Sequence, residues 1–340
     1  MRHAGVMAGT IAICAAAALA VGFAAKAQDR APLRLAATIR LPNVHGRIDH
    51  FDIDLAGKRL FMSALGNNTV EVFDIAANKR IHTIRGLHEP QGVTYVPATS
   101  RIFVANGDDG NVRIFDGKSY RLLKTAHLAS DADDTRLDAA KRQVYVGYGD
   151  KGSAGLAIFD GAAGNELGAI PLPAHPEGFQ LEQKGTRIYV NIPEANNVIE
   201  VVDRSARKVI ATWKLGGAED DFPMALDEAD HRLFVVCRTP PELLALDTNS
   251  GKVLAKILSV EHADDVWYDA ANKRIYVSGG QGFITVVAQE DSDHYRRVAE
   301  FKTAEGGRTS LLAPELGKLF LGVWGQNGRS EELRVYDAQP

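Results

Sequence analysis

Short apolar runs recur along this chain at a nearly fixed interval, separated by polar, glycine-rich stretches. A compact β-type core appears as Leu60-Phe61-Met62, Ile102-Phe103-Val104, Val144-Tyr145-Val146, Ile188-Tyr189-Val190, Leu233-Phe234-Val235, Ile275-Tyr276-Val277 and Leu319-Phe320-Leu321. From first residue to first residue the steps are 42, 42, 44, 45, 42 and 44. A basic residue precedes six of the seven cores, as Arg59, Arg101, Arg187, Arg232, Arg274 and Lys318, with Gln143 the exception. Self-similarity at about 40–45 residues is the signature of propeller blades rather than of separate domains.

Each core is followed by a turn and a second β run that usually closes on Asp, as at Asp74, Asp116, Asp160, Asp203, Asp247 and Asp337; the sixth copy departs and ends at Ala288. A polar turn and a third run follow, such as Lys208 to Trp213, and a further strand precedes each core, as in Gly92 to Val96. Four antiparallel strands per repeat make one blade. The blades fall at about 44–86, 87–128, 129–172, 173–216, 217–259, 260–303 and 304–340. The seventh lacks an outer strand, while residues 33–41 form a strand with no blade of their own. The sequence therefore predicts an all-β, seven-bladed β-propeller whose N-terminal strand completes the last blade and removes an open sheet edge.

The first residues give an address. Arg2 and His3 make a basic start, Ala4 to Ala25 carries no charge, and Ala25-Lys26-Ala27 fits a small-x-small cleavage site. Residues 1–27 read as a signal peptide, which predicts a periplasmic or secreted protein with no membrane span after cleavage. Cys14 leaves with that segment, so Cys237 is alone and no internal disulfide can form. Without Arg2 and Lys26, 37 basic residues face 43 acidic ones, a net charge of −6. With no Lys/Arg run anywhere, nucleic acid is an unsuitable partner.

The cores Arg187-Ile188-Tyr189-Val190-Asn191 and Arg274-Ile275-Tyr276-Val277-Ser278 resemble the repeat unit of the YVTN-repeat, YncE-like propellers. His88-Glu89-Pro90-Gln91-Gly92 and His175-Pro176-Glu177-Gly178 are similar to that family's Pro-x-Gly blade entries. The resemblance runs from about residue 33 to 340 and implies the fold; members of this kind serve as binding platforms, lactonases or lyases, and fold analogy does not choose among these.

With each core as a ruler, the residue eleven places earlier falls at the entry of the innermost strand, facing the central channel: Asp49, Gln91, Asp133, Glu177, Phe222, Asp264 and Arg308. Two places before these stand Arg47, Glu89, Asp131, His175, Asp220, His262 and Gly306, and one place after them His50, Gly92, Asp134, Gly178, Pro223, Asp265 and Thr309. At least eight carboxylates and three imidazoles thus surround one axis, with Arg47, Arg136 and Arg308 as internal counter-charges. Crowded carboxylates raise one another's pKa or require a cation between them. A solvated channel mouth of no special purpose is the plain alternative.

These positions predict a funnel that binds a small ligand or cation, through Asp49, His50, Glu89, Gln91, Asp134, Arg136, Asp220 and Asp265. A divalent metal, Ca²⁺, Mg²⁺, Mn²⁺ or Zn²⁺, is expected at His175, Glu177, His262 and Asp264, although ligands drawn from different blades leave no local motif. A metal-assisted lactonase or lyase is the catalytic alternative, with Glu177 or Asp133 as base, His175 or His262 as base or ligand, and Arg47 or Arg308 stabilising an oxyanion. A scaffold that docks an envelope protein is the third reading. No Gly-x-Ser-x-Gly elbow occurs, which argues against a serine hydrolase. His82, His127, His231 and His294 fall in outer strands or turns and are expected at the surface.

Overall fold

The computed structural model describes residue 1 and residues 31–150, 152–326 and 328–339. The export segment therefore lies almost wholly outside the described residues. From Leu33 onward the chain forms seven four-stranded antiparallel sheets. Six are built from consecutive strands; the innermost members are Phe51–Asp54, Pro90–Val96, Ala132–Asp138, Phe179–Leu181, Glu219–Asp227 and Ala263–Asp269. The seventh runs outward from Thr309–Ala313 through Lys318–Val323 and Glu332–Ala338 to Leu33–Arg40. The predicted closure is thus present, with Leu33 paired to Ala338 and Ile39 to Leu333.

Burial follows position in the blade. The second strands are buried on both faces, as in Arg187–Ile192, whereas outer strands such as Lys208–Lys214 alternate strictly between exposed and half-buried. Seven apolar clusters lie between successive blades rather than within them. One joins Leu60, Met62 and Phe73 of the first blade to Leu311, Phe320 and Val335 of the seventh, and Leu41 and Val44 fill the seam between them. Because the clusters run around the whole ring, each blade depends on both neighbours for its core.

The polar residues of the repeat have identifiable tasks. The Asp that closes the third strand caps the following turn: Asp74 Oδ1 accepts from Ala76 and Ala77, and Asp116, Asp160, Asp203 and Asp247 do the same. In the sixth blade the third strand extends to Gln289, and Asp291 takes over the cap by accepting from Asp293 and His294. The basic residue before several cores ties blades together. Arg59 pairs with Asp54 at 2.7 Å and reaches Tyr120 of the next blade, and Arg232 reaches Asp293 of its neighbour at 2.7 Å. Within the seventh blade Lys318 instead holds Asp337, which also pairs with Arg34.

Candidate functional site

Four innermost strands change register at their entries, between Pro90 and Val93, Ala132 and Thr135, Asp221 and Met224, and Ala263 and Asp265. An extra residue at such a bulge leaves the ladder and re-aims its side chain; Gln91, Asp133 and Asp264 each lie inside such a bulge and line the same cavity. The entry turns carry their own constraint. Glu89, Asp131, Asp220, His262 and Gly306 all have positive φ. Glycine at the next inward position permits close backbone approach: a methyl group on Gly92 would lie 2.3 Å from the Asp133 carbonyl oxygen, and one on Gly178 would lie 2.6 Å from that of Phe222.

The funnel encloses a cavity of about 320 Å³, with Asp131, Asp133, His175 and Glu177 on one wall and Arg238 and Arg308 on the other. Asp133, His175 and Glu177 each offer one ligand atom, and the three atoms lie within 4.8 Å of one another. His175 is buried, with Nδ1 2.7 Å from the Gly149 carbonyl oxygen and Nε2 3.5 Å from Asp133 Oδ2. A carbonyl can only accept, so Nδ1 carries hydrogen and Nε2 faces the carboxylates. Gln91 fixes Asp131 by donating to Oδ1 at 2.8 Å, and Asp131 Oδ2 stands 3.7 Å from His175 Nδ1.

The charges in this wall are strongly coupled. Burial and the neighbouring Asp133 push Glu177 up to about 8. Burial opposes the charge on His175, yet Asp133, Asp131 and Glu177 together hold it up at about 10. Burial would raise Asp133 as well, but His175, His50 and Arg47 outweigh it and keep the group below its ordinary value. Without a further cation the wall therefore favours charge on His175 and Asp133 and biases the Glu177 carboxyl toward its protonated form.

Deeper in the channel, His50 lies between Asp49, at 3.6 Å, and Asp265, at 3.7 Å. Arg47 pairs with Asp49 at 2.6 Å, and Arg136 pairs with Asp134. Asp265 also accepts from the Ser310 backbone at 2.7 Å, and burial pushes it up to about 6. This layer is internally paired around a void of only about 40 Å³.

The remaining sequence-predicted residues lie elsewhere. Asp264 is shared by Arg238, at 2.5 Å, and Arg308, at 2.7 Å. His262 is exposed and lines a neighbouring pocket with Glu261 and Trp324, so neither it nor Asp264 joins the cluster of Asp133, His175 and Glu177. Glu89 and Asp220 stand exposed on the rim, their backbone N–H groups donating to Asn68 and Asn197. His82, His127, His231 and His294 are exposed, and Cys237 is fully buried.

Arg238 was not singled out by the entry rings. It sits five places after the first core residue, at the end of the second strand, where the other blades carry Leu65, Gly107, Gly149, Pro193, Gly280 and Trp324. A fourth ring drawn at that offset would have found Arg238, Trp324 and the Gly149 carbonyl that orients His175.

Seven four-stranded blades around an acid- and histidine-lined funnel define a seven-bladed β-propeller with a polar central site. One chain in the crystal structure of the mitotic checkpoint complex shares the architecture, with a TM-score of 0.74 over 99% of both chains at 13% identity, a likeness of fold alone. No protein-family model matches the chain. Its sequence is 26% identical over 264 residues, 73% of each chain, to the uncharacterized protein YncE of Salmonella typhi and equally to that of Salmonella typhimurium. YncE of Escherichia coli O157:H7 matches at 32% over 87 residues, 25% of this chain and 24% of that one. Fold and sequence together make this chain a YncE-like propeller.

Proposed function

We propose that this protein is exported and that its funnel holds a divalent cation at Asp133, His175 and Glu177, as the inner part of a small-ligand site. The observation that carries this reading is the convergence of two carboxylates and one imidazole within 4.8 Å. The donor chemistry supports it. Nδ1–H of His175 is engaged by a backbone carbonyl, the outer-shell contact that orients a metal-ligating imidazole and leaves Nε2 to the ion. One nitrogen and two oxygens favour Mn²⁺, Zn²⁺ or Fe²⁺ over Ca²⁺ or Mg²⁺. A cation would also offset the burial and the Asp133 repulsion that raise Glu177. Export rests on residues 1–27, and no helix among the described residues is long and apolar enough to cross a membrane.

The reading is tested by metal analysis of protein purified without chelator or affinity-tag metal, with melting curves before and after chelation. Stoichiometric metal and a melting point lowered by chelation support it; metal-free protein that neither takes up Mn²⁺ nor changes its melting point overturns it. A metal-assisted lactonase or lyase is the second reading, favoured by Glu177. In that reading Asp133 and His175 hold the ion and Glu177 stays off it as the base, its carboxyl raised by burial and by Asp133 and so placed to exchange a proton with substrate. Turnover of a lactone panel that vanishes in Glu177→Gln while the fold persists would support it.

A further inference from the structure

The wall opposite the proposed cation carries an excess of guanidinium groups. Arg238 and Arg308 share the single carboxylate of Asp264. Arg238 is fixed in place: its Nε donates to the Ala263 carbonyl at 2.9 Å, and its guanidinium lies 3.6 Å from the centre of the Phe222 ring. Arg308 pairs with the other oxygen of the same carboxylate, its Nε 2.7 Å from Asp264 Oδ2, so two guanidinium charges face one carboxylate. Arg47 enters the same cavity with its own Nε unpartnered.

Building on the cation reading, we propose that Arg238 and Arg308 bind the carboxylate of a small organic acid whose other oxygen reaches the cation at Asp133, His175 and Glu177. The cavity of about 320 Å³ that joins the two walls is at the small end of ligand-binding sites and suits a molecule of a few carbons. A guanidinium fork matches a carboxylate through paired N–H donors, and this pair already grips one in Asp264. The acidic wall opposes an anion when the cation is missing and favours it when the cation is bound. The two ligands are therefore coupled, each raising the affinity of the other by the same factor.

The test is a set of calorimetric titrations with Mn²⁺ and lactate as probes, supported by the fluorescence of Trp324, whose ring lies 5.8 Å from the Arg308 guanidinium. Mn²⁺ is expected to bind the wild type, Arg308→Gln and Arg238→Gln alike, and Asp133→Asn at least tenfold more weakly. Lactate is expected to bind the Mn²⁺-loaded wild type at least tenfold more tightly than the metal-free protein, and to lose at least tenfold in either arginine variant. Arg308→Lys, which keeps the charge but not the fork, gives a second reading if Arg308→Gln fails to fold and should also weaken lactate. Mn²⁺ binding with lactate indifferent to Arg308, or with methyl lactate or inorganic phosphate binding as well as lactate, overturns this inference alone. Absence of Mn²⁺ binding overturns the cation reading and the coupling with it.

Discussion

Glu177 offers a stability test that depends on the electrostatics of the funnel and on nothing outside it. In the metal-free fold, burial and Asp133 raise its carboxyl from the ordinary 4.5 to about 8. Between those pH values the folded protein retains a proton that the unfolded chain has released, so stability falls as pH rises through that window and the full penalty remains above it. At about 1.36 kcal/mol per pH unit the ceiling is about 5 kcal/mol. The side chain is only half-buried, and screening at the funnel reduces the expected penalty to about 1–2 kcal/mol. Glu177→Gln removes the ionisation, and His175 loses little because Glu177 is the weakest of its three carboxylate supports. In chelator, the variant should match the wild type near pH 5 and exceed it by about 1–2 kcal/mol at pH 9, as read from urea unfolding across that range. Equal stability at pH 9, or a variant less stable at pH 9 than at pH 5 relative to wild type, would refute the reasoning.

Three further outcomes follow from packing and charge. Leu41→Ala empties a fully buried position in the seam between the first and seventh blades and should cost about 2–5 kcal/mol, measured by denaturant unfolding; a loss under about 1 kcal/mol would mean that the seam does not close the ring. Gly92→Ala should weaken Mn²⁺ binding with little change in secondary structure, because the added methyl meets the Asp133 carbonyl oxygen at 2.3 Å and displaces that residue; unchanged affinity in a titration would separate Asp133 from the site. Arg204→Ala leaves Asp138 of the preceding blade buried without its 2.9 Å partner and should cost about 3–5 kcal/mol in the same unfolding assay, whereas a neutral result would show that water replaces the guanidinium.

The period, the four strands per blade and the borrowed N-terminal strand were legible because each is a local pattern of apolar spacing repeated seven times. The turn-capping role of the recurring Asp was hidden in the sixth blade, where the cap moved to Asp291 after a longer strand. The inward rings brought Asp133, His175 and Glu177 to one wall, but position in a ring does not fix partners. Asp264 holds the same ring position as Asp133 yet is occupied by two arginines. Arg238 escaped notice because it enters from the far end of the second strand, outside the rings considered. The paired character of His50, Asp49 and Asp265 depends on distances across the channel that no spacing along the chain encodes.

The central claim is a cation at Asp133, His175 and Glu177, and anomalous diffraction from crystals grown with Mn²⁺ tests it most directly. The account predicts one strong anomalous peak at about 2.0–2.3 Å from His175 Nε2 and from an oxygen of each carboxylate. A map with no peak in the funnel, or with Mn²⁺ bound elsewhere while His175 remains ion-paired to Asp133, would contradict it.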